Sequence, residues 1–468
     1  MMQGLTRRPA PDRLHGLAVA GLLIAAMQAP LGSTMIAVAL PPLSASVGVN
    51  LAFATSLLVT SYLMVSMAGQ SPGGKLGDVL GHAHAVKIGM LLYASGALLG
   101  LASNGIGLLT AARCIMALGG ALVLPATLAI FRVYIPRERQ GRVFGMYGAI
   151  MSLAAAVGPP LGGEIVGHFG WRAIFLAHLP PLAIAALLAF RRPPPAQAAA
   201  RKPFGEFLAQ FDWLGTLLLG IAVALLVVAS KTAGLERAIA LAVTLSVVAA
   251  FVRWELRAPS PVLDPRLFRY RDFRVGTSVI ALQNFAMYGT LFQLPQYFHE
   301  VHAVPPTEIG RYLFLMMLAM FIASAVGGRL TDRIGCRATA LAASAPLLAG
   351  SFWIANLGAF EAPREAALPL LLLGMGIGLM SAPTQAAVMS AVPPERAGMA
   401  AGGSSTMRYL GSTLTILLLS GILGGQEGQS VTAHETAAHF FAFATLLAAL
   451  TGLALPPRVP PAARRQAD

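Results

Sequence analysis

Gly74-Lys75-Leu76-Gly77-Asp78-Val79-Leu80-Gly81 and Gly328-Arg329-Leu330-Thr331-Asp332-Arg333-Ile334-Gly335-Cys336-Arg337 are two versions of one stretch, and their place in the chain decides the fold. Each follows a long run of apolar residues. Glycines permit a tight turn and close helix approach, and in both copies they flank an aspartate. A repeated loop of this kind points to an internal duplication, the way many membrane carriers are built, with a site near the midplane between the halves.

Working outward from the two loops, charge-free stretches recur at bilayer length, for which about 20 apolar residues suffice. Spans are expected near Gly16 to Leu40, Leu51 to Gly73, Ile88 to Ser103, Leu108 to Phe131, Val143 to Gly167, Ala173 to Phe190, Trp213 to Ser230 and Leu235 to Val252. Six more run Val275 to Phe298, Arg311 to Gly328, Ala338 to Leu357, Ala366 to Val392, Ala400 to Gly424 and Phe440 to Pro456, making fourteen. The repeated loops lie eight spans apart. Two six-span halves, 1–190 and 275–468, are therefore expected, with a basic linker and two extra spans in 191–274 between them.

Composition agrees. Of 468 residues, 56% are hydrophobic and 11% charged, against about 25% charged in soluble domains. That deficit excludes an ordinary cytosolic enzyme, a disordered chain and a secreted module. Cys114 and Cys336 are the only cysteines, too few for a disulfide framework or a Cys-rich zinc site. The net charge of +14 lies in short clusters between apolar runs, which argues for a multispanning protein and not for nucleic-acid binding. With the N-terminus inside, 27 basic residues fall on the cytoplasmic side and six elsewhere: Arg113, Arg172, Lys231, Arg237, Arg311 and Arg364. That asymmetry follows the positive-inside rule and places both termini in the cytoplasm of a cell membrane, the bacterial inner membrane being the expected one. The first apolar run is too long for a cleavable signal and should remain as an anchor.

On these residues the chain resembles a major facilitator superfamily transporter, and its fourteen spans resemble the 14-spanner drug/proton antiporter branch. The loop motif G-x-L-x-D-R-x-G-R is the superfamily's hallmark; the second copy matches it better than the first, where Val79, His82, Ala83 and His84 stand in place of basic residues. Gly158-Pro159-Pro160-Leu161-Gly162-Gly163 in the fifth span resembles the motif associated with antiporters. Gly170-Trp171-Arg172-Ala173-Ile174-Phe175 and Phe211-Asp212-Trp213-Leu214-Gly215 also look like this branch. The resemblance implies an all-α fold of two six-helix bundles plus two linker helices, alternating access, and outward movement of small amphiphilic compounds or drugs against inward proton flow.

Candidate residues follow. Gly74, Gly77, Asp78, Gly81, Gly328, Asp332, Arg333 and Gly335 form the gating loops; each aspartate can cap a neighbouring helix start or pair with an arginine, or sit in a solvated turn. The first loop, with its histidines, could be weaker or titrate near neutral pH. Gly158, Pro159, Pro160, Gly162 and Gly163 bend or pack the fifth span. Arg113, Glu164 and His178 are candidates for proton coupling, because ionisable groups inside a membrane are costly and mark function. Arg113 matches the family's buried arginine, with Met116 and Ala117 replacing its usual Gln and Gly companions; snorkelling to the outer interface is the alternative. Glu164 could hold the exchanged proton or pair with Arg172 among headgroups. His178 could titrate or simply bond within the core. Asp212 caps the seventh span.

Relatives usually carry an Asp and an Asn in the first span, and here Gly32 and Ala37 replace both. A carboxylate implicated in proton or cation binding is thus missing, and a preference for cationic drugs loses support. Gln28, Tyr62, Asn284, Gln293, Gln385 and Arg408 are cavity candidates, with interhelical hydrogen bonds, or headgroup anchoring for Arg408, as the alternative. No cofactor, ATP or metal is expected, since no phosphate-binding loop and no His-x-x-x-His pair is present. The expected partners are a small-molecule substrate, protons and the lipid bilayer, with no nucleic acid; the sequence sets no oligomeric state. A metabolite exporter or importer of the same fold with different coupling is the alternative. An integral-membrane enzyme is the remote one.

Overall fold

The computed structural model describes residues 14–49, 53–54, 56–191, 211–232, 234–302, 306–360, 362–423 and 430–457. The basic tails (Arg7, Arg8, Arg13, Arg458, Arg464 and Arg465), and Arg192, Arg201 and Lys202 of the linker, lie outside the described residues.

Among the described residues, fourteen helices of at least 12 residues succeed one another. The first six are α1 (Gly16–Val47), α2 (Ser61–Leu80), α3 (His82–Ala102), α4 (Ile106–Tyr134), α5 (Gln140–Phe169) and α6 (Leu179–Phe190). Then come α7 (Trp213–Lys231) and α8 (Gly234–Glu255). The last six are α9 (Arg271–His302), α10 (Pro306–Ile334), α11 (Cys336–Ile354), α12 (Ala367–Ser390), α13 (Ala397–Ile422) and α14 (Val431–Gly452). Each expected span has its helix. Among the described residues, eight segments are long and apolar enough to cross a membrane on length and composition alone. The helices outside that set include α9 and α13, which carry buried polar residues such as Gln283, Asn284, Ser404 and Thr415.

Two expected spans are interrupted. A π turn, Ser56–Thr60, precedes α2; such turns are frequent at functional sites. The sixth span splits into a single turn, Ala173–Leu176, and α6, whose first turn contains proline. Proline lacks a backbone N–H and suits a helix start. His178 falls at that break.

Within the first six helices, α3 packs on α4, α2 on α4, and α1 on both α5 and α6. Eight helices later the same set returns: α11 on α12, α10 on α12, and α9 on both α13 and α14. The contacts between bundles mirror as well, α2 against α13 and α10 against α5, with α4–α13 and α12–α5 behind them. One buried apolar core runs through both bundles. The hairpin of α7 and α8 stands outside this pattern. Its α7 lies on α2 and α13, whereas α8 packs mainly on α7 and is largely exposed.

Candidate functional site

The two repeated loops lie at the same, basic end of the bundles and each grips the opposite bundle. Asp78 accepts from the backbone N–H groups of Gly398 and Met399 at the start of α13, both at 2.8 Å. Asp332 accepts from those of Gly141 and Arg142 at the start of α5, also at 2.8 Å each. Helix starts carry unsatisfied donors and partial positive charge, so a carboxylate there satisfies two donors at once. Gly81 (φ +89°) and Gly335 (φ +91°) break the helices just beyond, in the left-handed region that favours glycine. Despite its departures from the motif, the first loop makes the same pair of bonds as the second. His82 Nε2 stands 3.5 Å from Asp78 Oδ1. Asp78 lies beyond the apolar stretch of α2; burial pushes its carboxyl up to about 7, against the two N–H donors and the charges of Lys75 and Arg396. Arg333 is exposed.

A cavity of about 330 Å³ opens beside Asp78 and Lys75. Its other wall is the segment after α8, where Asp264 accepts from Arg396 Nη1 at 3.5 Å. Asp212 caps α7 by accepting from Gly215 N at 2.7 Å, and it also accepts from Trp254 Nε1 of α8 at 2.8 Å. The Asp212 bonds hold α7 to α8, and the Asp264–Arg396 contact ties the segment after α8 to the turn before α13.

Deep in the first bundle, Gln28, Tyr62, Arg113 and His178 converge. Arg113, 1% exposed, donates from Nη1 to Gly32 O at 3.1 Å and from Nε to Leu58 O, in the π turn, at 3.3 Å. Its guanidinium lies over the Tyr62 ring at 4.0 Å, a cation–π contact. Arg113 is therefore enclosed, not snorkelling. Tyr62 donates to Ala29 O at 3.0 Å, and Tyr93 to Gln28 O at 2.7 Å. His178 Nδ1 meets Gln28 Oε1 at 2.9 Å, and its ring stands edge-on to Tyr93. Gly32 faces this cluster: a Cβ there would run into the Tyr93 hydroxyl and lie 3.2 Å from the His178 ring. The space a first-span aspartate would need is filled by Tyr93 and His178.

The other candidates separate. Asn284 donates to Ile280 O of its own helix at 2.8 Å. Gln293 donates to His434 O of α14. Gln385 Oε1 faces Arg408 Nη2 at 3.5 Å, and Gln385 Nε2 has no partner. Glu164 is 78% exposed and lies 3.6 Å from His168. It does not pair with Arg172, which donates instead to Ser103 O and Asn104 Oδ1. The glycine–proline run is continuous helix in α5. Gly158 abuts Thr34 and Gly162 abuts Met35 of α1; Pro159 and Pro160 are exposed and Gly163 is half-buried.

Sequence reasoning missed the receivers of the two aspartates. Their signal was present: Pro136-Arg137-Glu138-Arg139-Gln140-Gly141 and Pro393-Pro394-Glu395-Arg396-Ala397-Gly398 share P-x-E-R-x-G. Each copy makes a short 3₁₀ turn that presents its glycine at a helix start. Tyr93, Tyr147, Tyr288 and Tyr409 were also missed, because only tertiary packing brings them to the centre.

Comparison with known proteins agrees with this arrangement. The sequence profile of the Major Facilitator Superfamily matches residues 22–416. The chain is 30% identical over 414 residues to the multidrug resistance protein Stp of Mycobacterium tuberculosis, covering 86% of this chain and 75% of that protein. It is 26% identical over 394 residues to the riboflavin transporter RibZ of Clostridioides difficile, covering 84% and 85%. The solved proton:xylose symporter XylE shares the fold, with a TM-score of 0.66 at 13% identity over 93% of this chain and 94% of that one. Paired six-helix bundles, duplicated glycine–aspartate loops and this match over most of the sequence have one reading: the chain belongs to the major facilitator superfamily and is a multi-pass membrane transporter, not an enzyme.

Proposed function

We propose that the chain exports small amphiphilic compounds across the cell membrane by alternating access, in exchange for protons entering the cell. The moving bodies are 1–190 and 275–468, with 191–274 as the link between them. The basic end is cytoplasmic, with both termini there. The observation that carries the reading is the mirrored pair of carboxylate-to-helix contacts, Asp78 on α13 and Asp332 on α5. Both join one bundle to the other at the same end, so both must release for that end to open. A carrier needs such a two-state element, biased by a few kcal/mol at most. The resistance protein among the relatives supports the export of drug-like compounds.

Arg113 and His178 share the interior of the first bundle, where a change in substrate occupancy can reach them, and we assign proton coupling to this pair. Glu164 stands apart on the surface. The glycine–proline run biases the carrier toward exchange by fixing α5 closely on α1. Proton-linked uptake of a compound panel into inverted vesicles tests the reading. Accumulation that collapses with an uncoupler supports it, and accumulation that persists without a gradient removes proton exchange. Gly32 in place of the usual first-span carboxylate favours one second reading, a metabolite transporter with different coupling, to which the riboflavin transporter among the relatives also points.

A further inference from the structure

The nineteen Asp and Glu residues avoid the membrane interior. Only Glu164 and Glu236 fall within an expected span, and both lie at its end. The interior does hold cations. Arg113 is buried, and among the described residues no carboxylate acts on it and its Nη2 has no partner. Arg408 on α13 is half-buried. Its one side-chain hydrogen bond among the described residues is the long contact to Gln385 of α12.

Tyr147 of α5, Tyr288 of α9 and Tyr409 of α13 all lie within electrostatic reach of the Arg408 guanidinium. Gln385, 3% exposed, turns its oxygen to Arg408 and leaves its amide nitrogen unbonded. A buried amide donor without an acceptor is costly, and a half-buried guanidinium whose one side-chain hydrogen bond among the described residues is long has donors to spare for a counter-charge. Both demands are met by one kind of visitor, a molecule bringing acceptor oxygens and negative charge. The guanidinium fork suits a carboxylate, sulfonate or phosphate, the phenol hydroxyls can donate to the same oxygens, and the rings offer faces to an apolar body. An organic cation there would meet a guanidinium and, among the described residues, no carboxylate bonded to it.

We propose that the substrate is an amphiphilic organic anion, its charge held by the Arg408 guanidinium and the Gln385 amide, with Tyr147, Tyr288 and Tyr409 within electrostatic reach. This rests on the reading of the chain as a carrier with a central site, but not on its direction or coupling.

The test is equilibrium binding to the full chain in phosphatidylcholine nanodiscs, where no anionic headgroup competes. Three probes share one ring system and differ in charge: 2-naphthoate, 2-naphthamide and 2-naphthylmethylammonium. Naphthoate is expected to bind at least about tenfold more tightly than the other two. R408Q should erase that preference, and R408K should keep part of it, the charge without the fork. Amide or ammonium binding as tight as naphthoate, no naphthoate binding, or a preference that survives R408Q overturns the proposal. If R408Q does not fold, R408K and the three-probe comparison on the unaltered chain still decide. Because no gradient is involved, a failed vesicle experiment leaves this result standing, and the reverse holds too.

Discussion

Gly74 and Gly398 touch backbone to backbone across the two bundles, so closely that a methyl group on either would run into the other's carbonyl oxygen. Gly328 and Gly141 repeat the relationship at the mirrored seam, where an added Cβ would lie 2.6–2.8 Å from the facing carbonyl. The contact brings each aspartate onto its helix start. G74A, G398A and G328A should each disfavour closure of the cytoplasmic end by about 1–3 kcal/mol, the usual cost of overpacking. A cysteine placed behind the contact should be alkylated from the cytoplasmic side several-fold faster in each variant. Unchanged rates would remove the steric role.

Replacing one aspartate tests the contact from the charged side. D332N keeps the shape but cannot accept from both Gly141 and Arg142. The loss should be about 1.5–3 kcal/mol of closing free energy, the range for hydrogen bonds to a charged group. Spin labels on the ends of α5 and α10 should report a larger open fraction by electron–electron distance measurement. D78N should do the same at α13, and the double variant should approach the sum, since the two sites share no partner.

Acidity should act through Asp78. In the closed form its carboxyl is pushed up to about 7, while a solvated aspartate titrates near about 4. The closed form therefore holds the extra proton between those values. Closure is most favoured below about pH 4, loses that advantage as pH rises through about 7, and is insensitive to this group above it. The groups facing the carboxylate are Lys75, Arg396, His82 and the two N–H donors on α13. Spin-label distances between the ends of α2 and α13, measured from pH 5 to 8, should show a larger open fraction as pH rises, and D78N should flatten the profile. An end that opens on acidification would contradict this.

A Cβ at position 32 has no room. G32A should displace the Tyr93 hydroxyl from Gln28 O and loosen the backbone carbonyl that Arg113 holds, costing about 1–3 kcal/mol. Y62F, which removes the hydroxyl and its bond to Ala29 O but leaves the ring in place, should cost about 1 kcal/mol. Thermal unfolding in detergent ranks the two, and an equal or reversed order would mean that the cluster is not tightly packed at Gly32.

H178Q should lower proton-linked transport at least about tenfold, whereas E164Q should leave it unchanged, because only His178 is built into the interior cluster. Pyranine trapped in proteoliposomes reads the proton flux directly. Loss of flux in E164Q alone would reassign the coupling to the surface carboxylate.

The spans were legible because a bilayer writes its thickness into runs of uncharged residues, and the duplication because both loops keep their glycines and aspartate. The partners of those loops were harder to see. Gly141 and Gly398 lie 191 and 320 residues away from the aspartates they meet, and only the shared P-x-E-R-x-G could have paired them. The phenols within electrostatic reach of Arg408 share no spacing in the chain, since Tyr147, Tyr288 and Tyr409 come from three helices. Glu164 looked interior because it follows a glycine pair near the end of an apolar run. A helical residue there has only to face outward to be exposed, and it does.

The placement of α7 has a last consequence. It lies against the α2–α13 junction, so that flank is curtained from the surrounding acyl chains while the α5–α10 flank is left bare. Among the described residues, then, the carrier is symmetrical in its two halves but lopsided in what it offers to the lipid around it.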